Sequence, residues 1–487
     1  MRALQRRSAG LLLHPTSLPG PCKQGDLGPD AKRFVDFLAA CGFGVWQVLP
    51  LNPPHEDGSP YQAQSSHAGD PRLISLQLLA ERGWLASEDL DVAVSCEARA
   101  RLLHLARKQF ERGTADITDA FATFKRRHDH WLDDYGLFRA LRRHHGNQPW
   151  WEWPQPLRDR EPEALKAAAE ELAEHVAQCV FEQFLFFQQW GELRAYANER
   201  GVRLFGDMPI FVALDSADVW CDRHLFDLDE SGAPRHVAGV PPDYFSSTGQ
   251  LWGNPLYNWP RMEADNFAWW QRRLGSQLEL FDFLRVDHFR GFDACWAVAA
   301  HEQTAEHGYW QPTPGRALFE ALTEAFGELP LVAEDLGIIT QEVERLRDGY
   351  NLPGMKILQF AFDSDAHNPY LPHNHVENCV VYTGTHDNDT SLGWFDSRSP
   401  ELQHRICEYL GCSADDMPWP IIRSAFASVA RLAVVPMQDI LALGSDDRMN
   451  TPGTISGNWQ WRFNWDQIDG GLSDRVGHMC RLYGRGG

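Results

Sequence analysis

The chain has 487 residues, 43% hydrophobic and 23% charged, a globular composition that excludes a disordered or fibrous protein. With 45 Lys and Arg against 67 Asp and Glu, its formal net charge is −22. That balance argues against nucleic acid as a partner and does not repel an uncharged substrate. Ten scattered cysteines form no C-x-x-C pair, and no apolar stretch approaches the ~20 residues of a membrane span. Together these point to a soluble protein of a reducing compartment, expected in the cytoplasm and off the membrane.

At the N-terminus, basic residues precede the short apolar run Leu11–Leu13, too brief for a signal-peptide core. That run opens the first expected strand, GLLLHP (10–15), and GVWQVLPL (44–51) is the second. The stretch of about 53–200 carries amphipathic patterns at 126–145 and 163–201 and is expected to be a mostly helical subdomain. Its aromatic run PWWEWP (149–154) reads as packing. VRLFGDMPIFV (202–212) follows as the third strand. The next insertion, about 213–280, contains VPPDYFSSTGQLWGNPLYNWP (240–260), whose Gly, Pro and aromatic content predicts a substrate loop rather than a regular element. FDFLRVDHF (281–289), PLVAEDLG (330–337), GMKILQFAF (354–362), CVVYTGTHD (379–387) and LAVVPMQDI (432–440) complete eight strands alternating with helical segments. Such alternation implies a parallel sheet, and eight strands close a TIM (β/α)8 barrel, here with large insertions in its βα loops. The whole chain reads as one catalytic barrel.

Several of these strands end in charge. Asp207 ends the third, Arg285 and Asp287 the fourth, Glu334 and Asp335 the fifth, and His386 and Asp387 the seventh. A polar residue just past a buried strand faces the barrel mouth. A single such acid is more simply a helix cap; acids at four strand ends favour a common site. Crowded carboxylates push one another's pKa values apart, so one stays protonated while another stays ionised. Glycosidic cleavage needs that division: a proton donor for the leaving oxygen and a carboxylate for the sugar cation.

The blocks RVDHFRGF (285–292), VAEDLG (332–337) and YTGTHDNDT (382–390) resemble the three acid-bearing blocks of the α-amylase superfamily. GDMPIFV (206–212), the 240–259 segment, NTPGTISGNWQWR (450–462), LLLHPTSLPG (11–20) and SPYQ (59–62) are similar to a narrower group. That group is the 4-α-glucanotransferases called amylomaltases or disproportionating enzymes, glycoside hydrolase family 77. The resemblance runs nearly end to end. It implies Asp287 as nucleophile, Glu334 as acid/base and Asp387 as the third acid, which binds sugar hydroxyls and favours ring distortion. It further implies that Asp207 and His386 bind hydroxyls of the same sugar and that Tyr61 stacks on it. Arg285, two residues before Asp287 on a strand, lies on the same face and pairs with it. The family usually lacks the C-terminal β-domain of α-amylases; the short stretch after the eighth strand agrees with that, and no such domain is expected.

Sugar rings present apolar C–H faces to aromatic planes and hydroxyls to polar partners. Tyr244, Phe245, Trp252 and Asn254 in the Gly/Pro-rich segment, and Phe360 at the end of the sixth strand, are therefore expected at the substrate. No histidine or cysteine spacing suits a metal and no dinucleotide fingerprint appears, so no cofactor or metal is expected. The expected reaction moves a segment of an α-1,4-glucan, as maltose, maltotriose or longer chains, to another glucan or glucose. The rivals are a hydrolase using the same acids, and a glucan-binding protein that has lost catalysis. The preferred chain length, the making of large rings and the oligomeric state are not legible in the residues.

Overall fold

The structure, a computed structural model, describes residues 4, 6–20, 24–92, 95–113, 115–242, 246–454 and 456–486. In chain order its strands are β1 (Ser8–Leu12), β2 (Val45–Gln47), β3 (Arg203–Met208), β4 (His236–Val240), β5 (Gln250–Pro255) and β6 (Phe283–Val286). They continue with β7 (Ala294–Ala299), β8 (Gly308–Pro312), β9 (Leu331–Ala333), β10 (Gly354–Ile357), β11 (Cys379–Tyr382) and β12 (Leu432–Pro436). The eight runs expected from the sequence are β1, β2, β3, β6, β9, β10, β11 and β12. They stand in that cyclic order, pairing in parallel from β10 through β11, β12, β1, β2, β3 and β6 to β9. The Ala333 N–H donates to the Pro353 carbonyl at 2.8 Å, drawing β9 toward β10. The fold is thus the TIM barrel with insertions that the alternation predicted.

Strand alternation sorts the side chains between two cores. Val45, Phe205, Phe283, Val332, Val380, Tyr382 and Leu432 cluster inside the ring. Leu204, Leu284, Val286, Leu331, Ala333 and Val381 face outward, against the helices. Phe205 and Phe283 stack at 4.3 Å between centroids, forming an apolar layer across two strands. The period of two then places Asp207 one step above Phe205, and Arg285 and Asp287 above Phe283. The barrel is therefore plugged with carbon at its middle and charged at its C-terminal mouth.

Between β2 and β3 the described residues form helices and no strand. The 163–201 pattern resolves into two helices, Pro162–Glu171 and Ala173–Glu199, interrupted at Leu172. Trp150 and Trp153 are buried, with the Trp150 indole N–H donating to the Leu214 carbonyl at 2.7 Å. The aromatic run pins this helical layer to the chain that follows β3.

One expectation fails. The 240–260 segment is not all loop: it contains β5, and a four-stranded antiparallel sheet of order β5-β4-β7-β8 stands beside the barrel. Glycine and proline punctuate these strands, so their local pattern is weak, and pairing across the sheet overrides it. No helix among the described residues is long and apolar enough to cross a membrane.

Candidate active site

The charged layer begins with Arg285, whose guanidinium bridges two carboxylates. Nη1 donates to Asp207 Oδ2 at 2.6 Å and Nη2 to Asp287 Oδ1 at 2.6 Å. Asp207 and Arg285 are both buried. Burial works against the cation, but the facing carboxylates outweigh it and hold Arg285 charged, its pKa well above the ordinary guanidinium value. The Tyr61 hydroxyl donates to the same Asp207 oxygen at 2.7 Å. Asp207 Oδ1 has no protein partner among the described residues.

Glu334 comes from the end of β9, where alternation turns it inward. Its Oε2 accepts the His288 N–H at 2.6 Å and its Oε1 the Leu336 N–H at 3.1 Å. To aim that N–H, His288 adopts φ 49°, ψ 51°, a left-handed conformation that costs a side-chain-bearing residue roughly 1–2 kcal/mol. Burial, and secondarily Asp287, push the Glu334 carboxyl up to about 8 against the opposing pull of Arg285 and the His288 N–H. Asp335, the next residue, points the other way. It accepts from Arg347 and from the Met355 N–H, outside the barrel. The sequence placed Asp335 at the mouth with Glu334; strand parity puts it in the wall.

Asp387 arrives from the loop after β11 and is half exposed, at 48% of its side chain. Asn450 Nδ2 donates to its Oδ1 at 2.6 Å, and His386 Nε2 lies 3.3 Å from the same oxygen. The Tyr61 and His386 rings stack at 5.1 Å and 14°, and Trp459 tilts against both at 6.0 and 5.9 Å. Beyond Trp459 a cavity of about 390 Å³ opens, bordered by Asn458, His14, Asp57 and Arg72.

The remaining expected contacts divide. Trp252 lies in β5, not in a loop, and its ring meets His288 edge-on at 4.9 Å and 89°. Asn254 is buried with its amide occupied: Nδ2 donates to the Val212 carbonyl at 2.8 Å and Oδ1 accepts from Gln62 at 3.2 Å. It ties β5 to the Tyr61 loop rather than facing the mouth. Phe360 packs on the inner core and edge-on against Tyr370 at 5.6 Å. Tyr244 and Phe245 lie outside the described residues. Sequence reasoning gave no role to Asn450, Trp459 or His288. All three sit inside blocks already singled out, 450–462 and 285–292, and contact was the missing information. Among the described residues no cluster of His, Cys, Asp and Glu is arranged to hold a metal ion.

This arrangement holds one carboxylate paired with a fixed cation and another carboxyl kept protonated, beside an aromatic wall and polar groups suited to a sugar. Comparison with known proteins gives the same direction. The sequence profile of 4-alpha-glucanotransferase matches residues 13–467. The chain is 49% identical to a 4-alpha-glucanotransferase from Synechocystis sp., over 99% of each chain. It is 50% identical to one from Thermus thermophilus, over 98% of this chain and 97% of that one. The amylomaltase from Streptococcus agalactiae, solved in complex with acarbose, superposes with a TM-score of 0.95 at 38% identity, over 99% of this chain and 100% of that one.

Proposed function

The chain belongs to the 4-alpha-glucanotransferase family, and we propose that it performs that transfer by a retaining double displacement through a glycosyl ester on Asp287. The observation carrying the mechanism is the split between the acids: Asp287 is ion-paired to Arg285, while Glu334 is held protonated by burial. Glu334 donates its proton to the leaving oxygen as Asp287 attacks the anomeric carbon. The Glu334 carboxylate so formed then removes the proton from an incoming 4-hydroxyl, which opens the ester. Asp207, Asp387, His386 and Tyr61 hold the sugar during both steps. No metal or cofactor enters this scheme.

Transfer must outrun hydrolysis in ~55 M water, and positioning of the acceptor can supply that bias, since effective molarities of well-oriented groups reach ~10⁵–10⁸ M. Incubation with maltotriose tests the reading. Glucose and a ladder of longer maltooligosaccharides should appear at constant total reducing ends, because each event breaks one α-1,4 bond and makes another. Reducing ends rising in step with glucose, with nothing longer than maltotriose, would replace this reading with the hydrolase. No reaction at all would favour a binding protein.

Two further results are expected. Trp252 lies edge-on to the residue after Asp287, and we infer that it serves the acceptor. Trp252→Ala should raise KM for the acceptor and increase the fraction of ester lost to water; an unchanged transfer-to-hydrolysis ratio would assign Trp252 to packing. The second concerns pH. Glu334 is lifted from 4.5 to about 8, so the acid form needed for the first step is lost as pH rises through that value. kcat/KM should therefore fall on the alkaline side with an apparent pKa near 8. The folded state also holds a proton there that the unfolded chain releases, so stability from this group declines between about pH 4.5 and 8. An alkaline limb that persists unchanged in Glu334→Gln's residual activity would show that another group sets it.

A further inference from the structure

Tyr61, His386 and Trp459 form one aromatic cluster, with Asn450 joined to it through Asp387, and the 390 Å³ cavity opens beyond Trp459. His288, the residue after Asp287, makes a separate contact with Trp252. The chain segments leaving the two acids are bound together. Arg290, three residues after Asp287, donates from Nη1 to the Ile338 carbonyl, four residues after Glu334. The same guanidinium lies over the Trp310 indole at 3.7 Å to the ring centroid. Trp310 pairs in register with Trp296 across β7 and β8, and their rings meet at 5.2 Å and 65°. Trp296 is itself held by its indole N–H on the Ala305 carbonyl at 2.8 Å.

Arg290 is buried and forms no ion pair among the described residues. A buried guanidinium spent on one carbonyl and one indole face holds those groups in place at a desolvation cost. Yet the groups it holds are open to solvent: Ile338 is 58% exposed, and Trp310 is half-buried beside Tyr309 at 50% exposed. Single exposed apolar residues are ordinary on any surface. A fixed set joined to both reacting acids is not.

We infer that Trp310 and Ile338 form an outlying acceptor-side platform for an α-1,4-glucan, reached only by chains too long for the pocket itself. This rests on the transferase reading, which brings a leaving and an incoming chain to the two acids. The chemistry of the patch fits a glucan: an indole and an aliphatic side chain meet C–H faces, and no carboxylate is spent there. The alternatives fit less well. The chain's charge of −22 opposes a polyanion, and two exposed side chains beside one half-buried indole fall far short of the ~800 Å² per partner of a stable protein interface.

Transfer kinetics from maltotriose as donor, with either maltotriose or amylose as acceptor, test the platform. Trp310→Ala should raise KM for amylose relative to KM for maltotriose about 3–10-fold, the range of one lost aromatic contact. Trp310→Phe should keep most of the wild-type ratio. Ile338→Ser, a surface change without folding cost, should move the ratio the same way by a smaller factor. An unchanged ratio in both Trp310→Ala and Ile338→Ser would overturn the proposal. So would equal losses on the two acceptors, which would make Trp310 a support for the acid loops alone. Failure of the transferase reading looks different, because the wild-type protein would then elongate neither acceptor.

Discussion

Asp287→Asn and Glu334→Gln should each lower the transfer rate by at least ~10²–10⁴, the range for a positioned acid, base or nucleophile. The two losses should not add, because both groups serve one transition state and either deletion disables it. The variants should nevertheless differ. Asp287→Asn removes the attacking oxygen and blocks ester formation for every donor. Glu334→Gln removes the proton donor, so a donor whose leaving group needs no protonation, such as an activated aryl or fluoride glycoside, should recover much of the first step. Trapping of a glycosyl ester in Glu334→Gln with such a donor, and its absence in Asp287→Asn, is the decisive measurement. Retention of more than about a tenth of the activity by either variant would refute the assigned roles, since a positioned group contributes ~10²-fold or more.

Arg285→Met should destabilise the protein as well as silence it. Arg285 lies between Asp207 and Asp287 at 2.6 Å from each, and Asp207 is 1% exposed. Removing the cation leaves a buried carboxylate with only the Tyr61 hydroxyl, facing a second carboxylate with no charge between them. Breaking one side of a buried ion pair costs about 3–5 kcal/mol, far more than the pair itself contributes. Denaturant unfolding of Arg285→Met should show that loss. The double variant Arg285→Met, Asp207→Asn should regain most of the stability and none of the activity, because the stranded charge is gone but the sugar-binding geometry is not restored. A single variant as stable as the wild-type protein would mean that water reaches Asp207 freely.

Much of this was legible in advance, for reasons that can be named. The strands ending in Asp207, Asp287 and Glu334 were visible because a barrel strand is apolar on both faces and then abruptly polar where it leaves the core. The pairing of Arg285 with Asp287 followed from the period of two. The same period, applied one residue further, would have removed Asp335 from the mouth: Glu334 faces inward, so its neighbour faces out. The β4, β5, β7 and β8 sheet was not legible, since GYWQP and QLWGNP carry glycine and proline inside short strands. Only the antiparallel partner identifies them.

By itself the sequence determined the barrel, the order of its strands and the acids at their ends, because these depend on local periodicity and on where it stops. Tertiary structure alone decided which of those groups meet. Tyr61 reaches Asp207 across 146 positions of chain, and Asn450 reaches Asp387 across 63. Asn254 donates to the Val212 carbonyl across 42 positions, and burial inside the closed ring is the largest influence raising the Glu334 carboxyl. Contact and burial are properties of the closed barrel, and no window of sequence contains them.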